Sequence, residues 1–197
     1  MWVRFLLVAP EIMKKPRTKV GPWRTVFRGT RFEIKQAEAT YSSGRKDIWE
    51  KACRAPTVFV LALDDKGKLL LTKEYRYVSK RYEWFLPVGK MDKEANPKKA
   101  AMRELQEEAG FKAKKLTLLS RHGALTLMEH ERYIFLAEGL TPAPIDAGED
   151  EDIVVYPTTV KKALQMVLEG EIDIPEICFA IITLNKYLRS KKIKSKK

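Results

Sequence analysis

The sequence predicts an α+β fold: a mixed β-sheet flanked by helices, preceded by a β-rich N-terminal extension. Three observations support this. Short runs of β-branched and aromatic residues recur along the chain, separated by Gly, Asp and Pro turns. One capped helical segment lies between Asn96 and Gly110, and two more close the chain. Apolar residues make up 45% of the 197, enough for one sizeable core.

The elements follow in order. Residues 22–50 read as strands with a turn at SSG, residues 42–44. TVFVLAL, 57–63, is a buried strand; DDKG, 64–67, is a turn; KLLLTKEYR, 68–76, is expected to return as its hairpin partner. Tyr75 and Tyr77 fall on one side of that strand, and one of them is expected to face the core. LTLLSRHGAL and ERYIFLAEGL supply further strands. TPAPIDAGEDED, 141–152, is an acidic, turn-rich loop before the short strand IVVYP. Helices over 158–169, stopped by Gly170, and about 175–189 end the fold. The expected divisions are an extension over 1–50, a main domain over 51–189 and a fraying basic tail over 190–197.

The net charge of +12 favours anionic partners without choosing among them. Six of the basic residues fall in the last nine, RSKKIKSKK. Cys53 and Cys178 lie too far apart for a CxxC pair and read as reduced thiols. The opening MWVRFLLVAP is too brief an apolar run to span a membrane. The expectation is a soluble, cytoplasmic protein with no membrane partner. His122 and His130 have no zinc-site spacing, and neither a Walker loop nor GxGxxG occurs.

The chemistry concentrates in GKMDKEANPKKAAMRELQEEAGF, Gly89 to Phe111. Asn96 suits a helix cap, Pro97 the first turn and Gly110 the stop. Glu104, Glu107 and Glu108 then share one helical face. Like charges at this spacing cost roughly 0.2–0.5 kcal/mol per exposed pair, and the helix C-terminus adds a penalty. A hard divalent cation reverses that sign, because Mg²⁺ takes oxygen ligands and bridges carboxylates to phosphates. The plainer alternative is a solvated helix face balanced by Lys98, Lys99 and Arg103.

This segment resembles the Nudix box. Gly89, Arg103, Glu104, Leu105, Glu107, Glu108, Gly110 and Phe111 fall in the family's register. The family's early glutamate would be residue 95, where Ala95 stands, with Glu94 one place before. The resemblance implies a Nudix fold and Mg²⁺ or Mn²⁺ held by Glu104, Glu107, Glu108 and the Val88 carbonyl. Arg103 would orient the cluster, and Glu107 or Glu108 would alternatively act on the attacking water. The implied reaction splits a nucleoside diphosphate linked to another group.

The flanking sequence is similar to the ADP-ribose pyrophosphatase branch: the β-rich extension, KEYRYVSKRYEWFLPVGK, and the helix–glycine–helix ending. That implies a homodimer and hydrolysis of ADP-ribose, or a related nucleoside diphosphate sugar, to AMP and ribose 5-phosphate. Arg76 is the candidate phosphate contact, with a salt bridge to Glu74 or Glu83 as its plainer role. Trp23 and Phe27 are candidates to stack on a base, or packing residues of the extension. Glu151, ahead of Glu149, is the candidate general base in the late loop. Phe85 stands where that branch has a glutamate, with Glu83 nearby. Two other readings are a hydrolase of dinucleoside polyphosphates or RNA 5′ ends, with RNA not favoured, and a degenerate domain that binds nucleotide without turnover.

Overall fold

The computed structural model describes residues 18–92, 95–123, 127–145 and 153–194. The chain divides into two compact units, with the boundary between Cys53 and Arg54.

The first unit is antiparallel. Its central strand β3 (Glu33–Thr40) pairs with β1 (Lys19–Val20), β2 (Arg24–Arg28) and β4 (Lys46–Cys53). β3 and β4 form a hairpin whose turn needs Gly44, at φ 84°.

The second unit begins with β5 (Thr57–Ala62), in which every residue is buried. β6 (Lys68–Arg76), β7 (Arg81–Phe85) and β8 (Val88–Lys90) follow, then α1 (Pro97–Ala109). β9 (Phe111–His122), the short β10 (Met128–Glu129) and β11 (Arg132–Pro142) come next, and β12 (Val154–Thr159), α2 (Val160–Leu168) and α3 (Pro175–Lys194) end the fold. One sheet has the order β8-β5-β11-β9, with β5 and β11 parallel and the other pairs antiparallel. A second, antiparallel sheet has the order β12-β6-β7.

Alternation along the strands divides the apolar side chains between two cores. Phe59, Leu61, Leu69, Leu71, Ile134 and Leu136 pack with α2 and α3 side chains such as Met166, Ile177 and Ile181. Val58, Val60, Ala62, Leu70, Phe135 and Ala137 pack with Ala100, Ala101 and Leu105 of α1. Each fully buried Val, Leu or Ile contributes about 1.5–3 kcal/mol, so these layers fix α1 against the sheet. The α+β class and the mixed sheet with flanking helices are as the sequence predicts.

Three details differ from the sequence expectation. β5 and β6 do not form a hairpin ladder; only a single bridge, Leu63 to Leu69, joins their ends. The turn itself forms, with Asp64 Oδ1 accepting from the Lys66 and Lys68 N–H groups. A strand apolar on both faces takes a central place, and β5 takes β8 and β11 as neighbours while β6 pairs with β7 and β12. Neither Tyr75 nor Tyr77 faces the core: they are 40% and 85% exposed, clustered edge-to-face with each other. Finally, α3 runs on to Lys194 instead of fraying at 190. Ser190 Oγ donates to the Tyr187 carbonyl and Lys191 lies over the Tyr187 ring, which extends the helix into the basic segment.

Candidate active site

The local sequence builds the site around α1. The Asn96 side chain accepts from the Lys98 N–H at 2.9 Å, and Pro97 occupies the first turn. Gly110, at φ 76°, stops the helix and returns its N–H to the Gln106 carbonyl. Thirteen residues lie between these caps, and Leu105 and Ala101 anchor one face in the core. The neighbouring face carries the glutamates to β8.

Arg103 and the β8 backbone then share the glutamates between them. Glu104 is 6% exposed and sits directly against the β8 backbone. A Cβ at position 89 would lie 1.8 Å from Glu104 Oε1, so only glycine permits this approach. Glu108 Oε2 accepts from the Val88 N–H at 2.8 Å. Arg103 reaches Glu104 Oε1 at 2.7 Å and Glu107 Oε2 at 2.5 Å, and donates to the Lys90 carbonyl at 3.1 Å. One guanidinium thus compensates two partly buried carboxylates and ties the helix to the end of β8.

β6 and β7 carry the next candidate. Arg76 donates to Glu74 Oε1 at 2.7 Å, and its guanidinium lies 4.0 Å from the centroid of the Phe85 ring. Of the two salt-bridge partners the sequence suggests, Glu74 takes this role, while Glu83 pairs with Arg81 at 2.9 Å. Hydrogen bonds from Arg81 and Ser79 outweigh burial and hold the Glu83 carboxyl below its usual range.

Trp23 and Phe27 belong to the first unit, where Trp23 lies under the Lys51 ammonium and Phe27 packs near Phe32. Glu149 and Glu151, like Glu94, lie outside the described residues. His122 bonds Ser120, and buried His130 bonds Thr57 Oγ1 at 2.8 Å. Burial, with Arg132 and Arg54 nearby, lowers the His130 pKa to about 4. Among the described residues, no three His, Cys, Asp or Glu side chains are arranged as a metal site.

Sequence reasoning missed the Lys90 carbonyl and the contact of Gly89 with Glu104. The first has no sequence signal. The second had one, because a glycine within a strand marks a place where another group can approach the backbone closely.

The NUDIX domain model matches residues 54–189, and the chain belongs to that family. Its fold is that of a Nudix hydrolase. The ADP-ribose pyrophosphatase of Bacillus subtilis (strain 168) is 29% identical over 185 residues, which cover 91% of this chain and 100% of that one. The methanol dehydrogenase activator of Bacillus methanolicus is 25% identical over 150 residues, 75% of this chain and 81% of that one. A solved structure of an ADP compounds hydrolase shares the fold, with a TM-score of 0.75 at 23% identity over 89% of this chain and 96% of that one. Among the described residues, no helix is long and apolar enough to cross a membrane.

Proposed function

We propose that this protein hydrolyses the diphosphate bond of ADP-ribose or a related nucleoside diphosphate sugar, releasing AMP and ribose 5-phosphate from ADP-ribose. The observation that carries this reading is the set of contacts along α1, where Arg103 bonds Glu104 and Glu107 and Glu108 accepts from the Val88 N–H of β8. The full-length similarity to an ADP-ribose pyrophosphatase supports the substrate class.

The donor set suits a hard divalent cation. Three carboxylates with a backbone loop packed directly on one of them offer only oxygen ligands, which fits Mg²⁺ or Mn²⁺. Glu104, Glu107, Glu108 and the Val88 carbonyl would hold it. When bound, it would neutralise diphosphate oxygens and lower the pKa of the attacking water. The chain's own residues do the rest. Arg103 holds Glu104 and Glu107 in place. Arg76 holds the diphosphate with the donors that Glu74 does not use. A carboxylate takes the proton of the water as it adds to phosphorus and the bridging P–O bond breaks. Glu151 or Glu149 is assigned that role, with Glu107 or Glu108 as the alternative. The reading includes a cytoplasmic homodimer, which sedimentation would test.

The test is a substrate panel with Mg²⁺: ADP-ribose, a dinucleoside polyphosphate and a 5′-triphosphate RNA. The expected result is fastest turnover of ADP-ribose, yielding AMP and ribose 5-phosphate. Faster, strongly salt-dependent turnover of the RNA would replace this reading. Binding of ADP-ribose without products would mark a domain that holds nucleotide and does not cut it.

A further inference from the structure

The β6–β7 ladder sets Thr72 opposite Phe85, Glu74 opposite Glu83 and Arg76 opposite Arg81. Residues directly opposite share a face, so these six side chains form one strip. Within it, Arg76 is held on two sides. Glu74, only 6% exposed, takes one terminal nitrogen at 2.7 Å. The Phe85 ring takes one flat face of the guanidinium at 4.0 Å. Arg76 Nε is buried without a hydrogen-bond partner among the described residues, while the side chain as a whole is 35% exposed. The arginine is therefore fixed in place with donors unspent. Glu83 cannot supply the countercharge, because Arg81 holds it and also bonds Asp173.

We propose that Glu74 and Phe85 are positioning residues that aim Arg76 at the substrate diphosphate, with Glu74 supplying from β6 the carboxylate that the family resemblance places at position 85. This rests on the function proposed above. The physical reason for Phe85 follows from charge. One buried carboxylate neutralises and orients the guanidinium. A second, at position 85, would satisfy the remaining donors and repel the incoming diphosphate. A phenyl ring restrains the same guanidinium without adding charge. The exchange is one of place: the carboxylate moves to position 74, and the ring takes position 85. Thr72 Oγ1, buried opposite Phe85 without a hydrogen-bond partner among the described residues, gives an introduced glutamate a hydroxyl to accept from, so the exchange can be reversed experimentally.

The experiment compares wild type, E74Q, F85E and E74Q/F85E. Three quantities are read: kcat and KM for ADP-ribose with Mg²⁺, the affinity for inorganic pyrophosphate by calorimetry, and the melting temperature. Each single change is expected to raise KM about 10-fold with kcat within about 3-fold, and to weaken pyrophosphate binding by a similar factor. The double variant should return to within about 3-fold of wild type, which a purely structural role would not produce. Unchanged KM and pyrophosphate affinity in either single variant would overturn the proposal. So would a double variant whose loss is the product of the two. Should E74Q melt far below wild type, F85L decides, since it removes the ring without adding charge. A raised KM there supports the clamp, and an unchanged one overturns it. If wild type leaves ADP-ribose intact, the substrate reading fails, and the pyrophosphate affinities of the four proteins still decide the clamp.

Discussion

Two arginines of the second unit are each held by a carboxylate, and they differ in what remains. Arg103 spends its donors on Glu104, Glu107 and the Lys90 carbonyl, and its side chain is 16% exposed. Arg76 bonds Glu74, stacks on Phe85, is 35% exposed and keeps Nε without a hydrogen bond among the described residues. The first is committed to its own chain and organises the acidic helix. The second is restrained but unsatisfied, the state expected of a group that completes its bonds on a ligand. Arg132 is a third case. Its side chain is 7% exposed and its carboxylate partner, Glu176, stands at 3.5 Å, so its charge acts on the neighbouring His130 instead.

The comparison can be broken first at Arg103. R103A leaves two partly buried carboxylates uncompensated, and should lower the unfolding free energy by about 3–5 kcal/mol as well as reducing turnover. Denaturant titration checks this; a loss within about 0.5 kcal/mol would place Arg103 among exposed ion pairs. G89A should act on the same cluster from the loop side. Its added methyl meets the Glu104 carboxylate at 1.8 Å, which must shift. A kcat loss on the order of 10²-fold is expected.

The burial of His130, with Arg132 beside it, predicts a pH effect. The unfolded chain's histidine takes up a proton near the ordinary value of 6.5, whereas folded His130 stays neutral down to about 4. The unfolded state therefore binds more protons between these values. The stability carried by neutral His130 is intact above pH 6.5 and lost as the pH falls toward 4, about 3 kcal/mol in all. H130Q should flatten that slope in denaturant titrations at stepped pH. The smallest effect belongs to Arg76. R76A should raise KM for ADP-ribose about 10-fold, roughly 1.4 kcal/mol, with kcat little changed and a smaller stability loss than R103A, because it leaves one buried carboxylate rather than two without its arginine. A stability loss as large as that of R103A would erase the distinction between the two.

The parts of the molecule legible in the sequence are those decided by local chemistry. Asn96, Pro97 and Gly110 mark the ends of α1 because capping depends on neighbours along the chain. The spacing of Glu104, Glu107 and Glu108 puts them on one face for the same reason. What depends on distant partners was not legible. The turn at Asp64–Gly67 forms, yet the strands beside it find other neighbours because β5 must be covered on both faces. Alternation puts Tyr75 and Tyr77 on one side of a strand, and only tertiary packing decides whether that side meets the core or water. Likewise, i and i+4 spacing points Arg103 at Glu107, but its bond to the Lys90 carbonyl depends on how the loop folds back. Glu74 was legible as a partner of Arg76, being two residues away on the same strand, whereas the Phe85 ring reaches that guanidinium only through the β6–β7 pairing.

The most direct test of the account is Mg²⁺-dependent turnover of ADP-ribose by wild type beside E108Q, with products separated and identified. The prediction is AMP and ribose 5-phosphate from wild type, abolished by chelation. In E108Q the rate should fall on the order of 10²–10³-fold with the fold intact. Equal rates in the two proteins, or no products from wild type at saturating ADP-ribose and Mg²⁺, would contradict the assignment of the acidic helix to diphosphate hydrolysis.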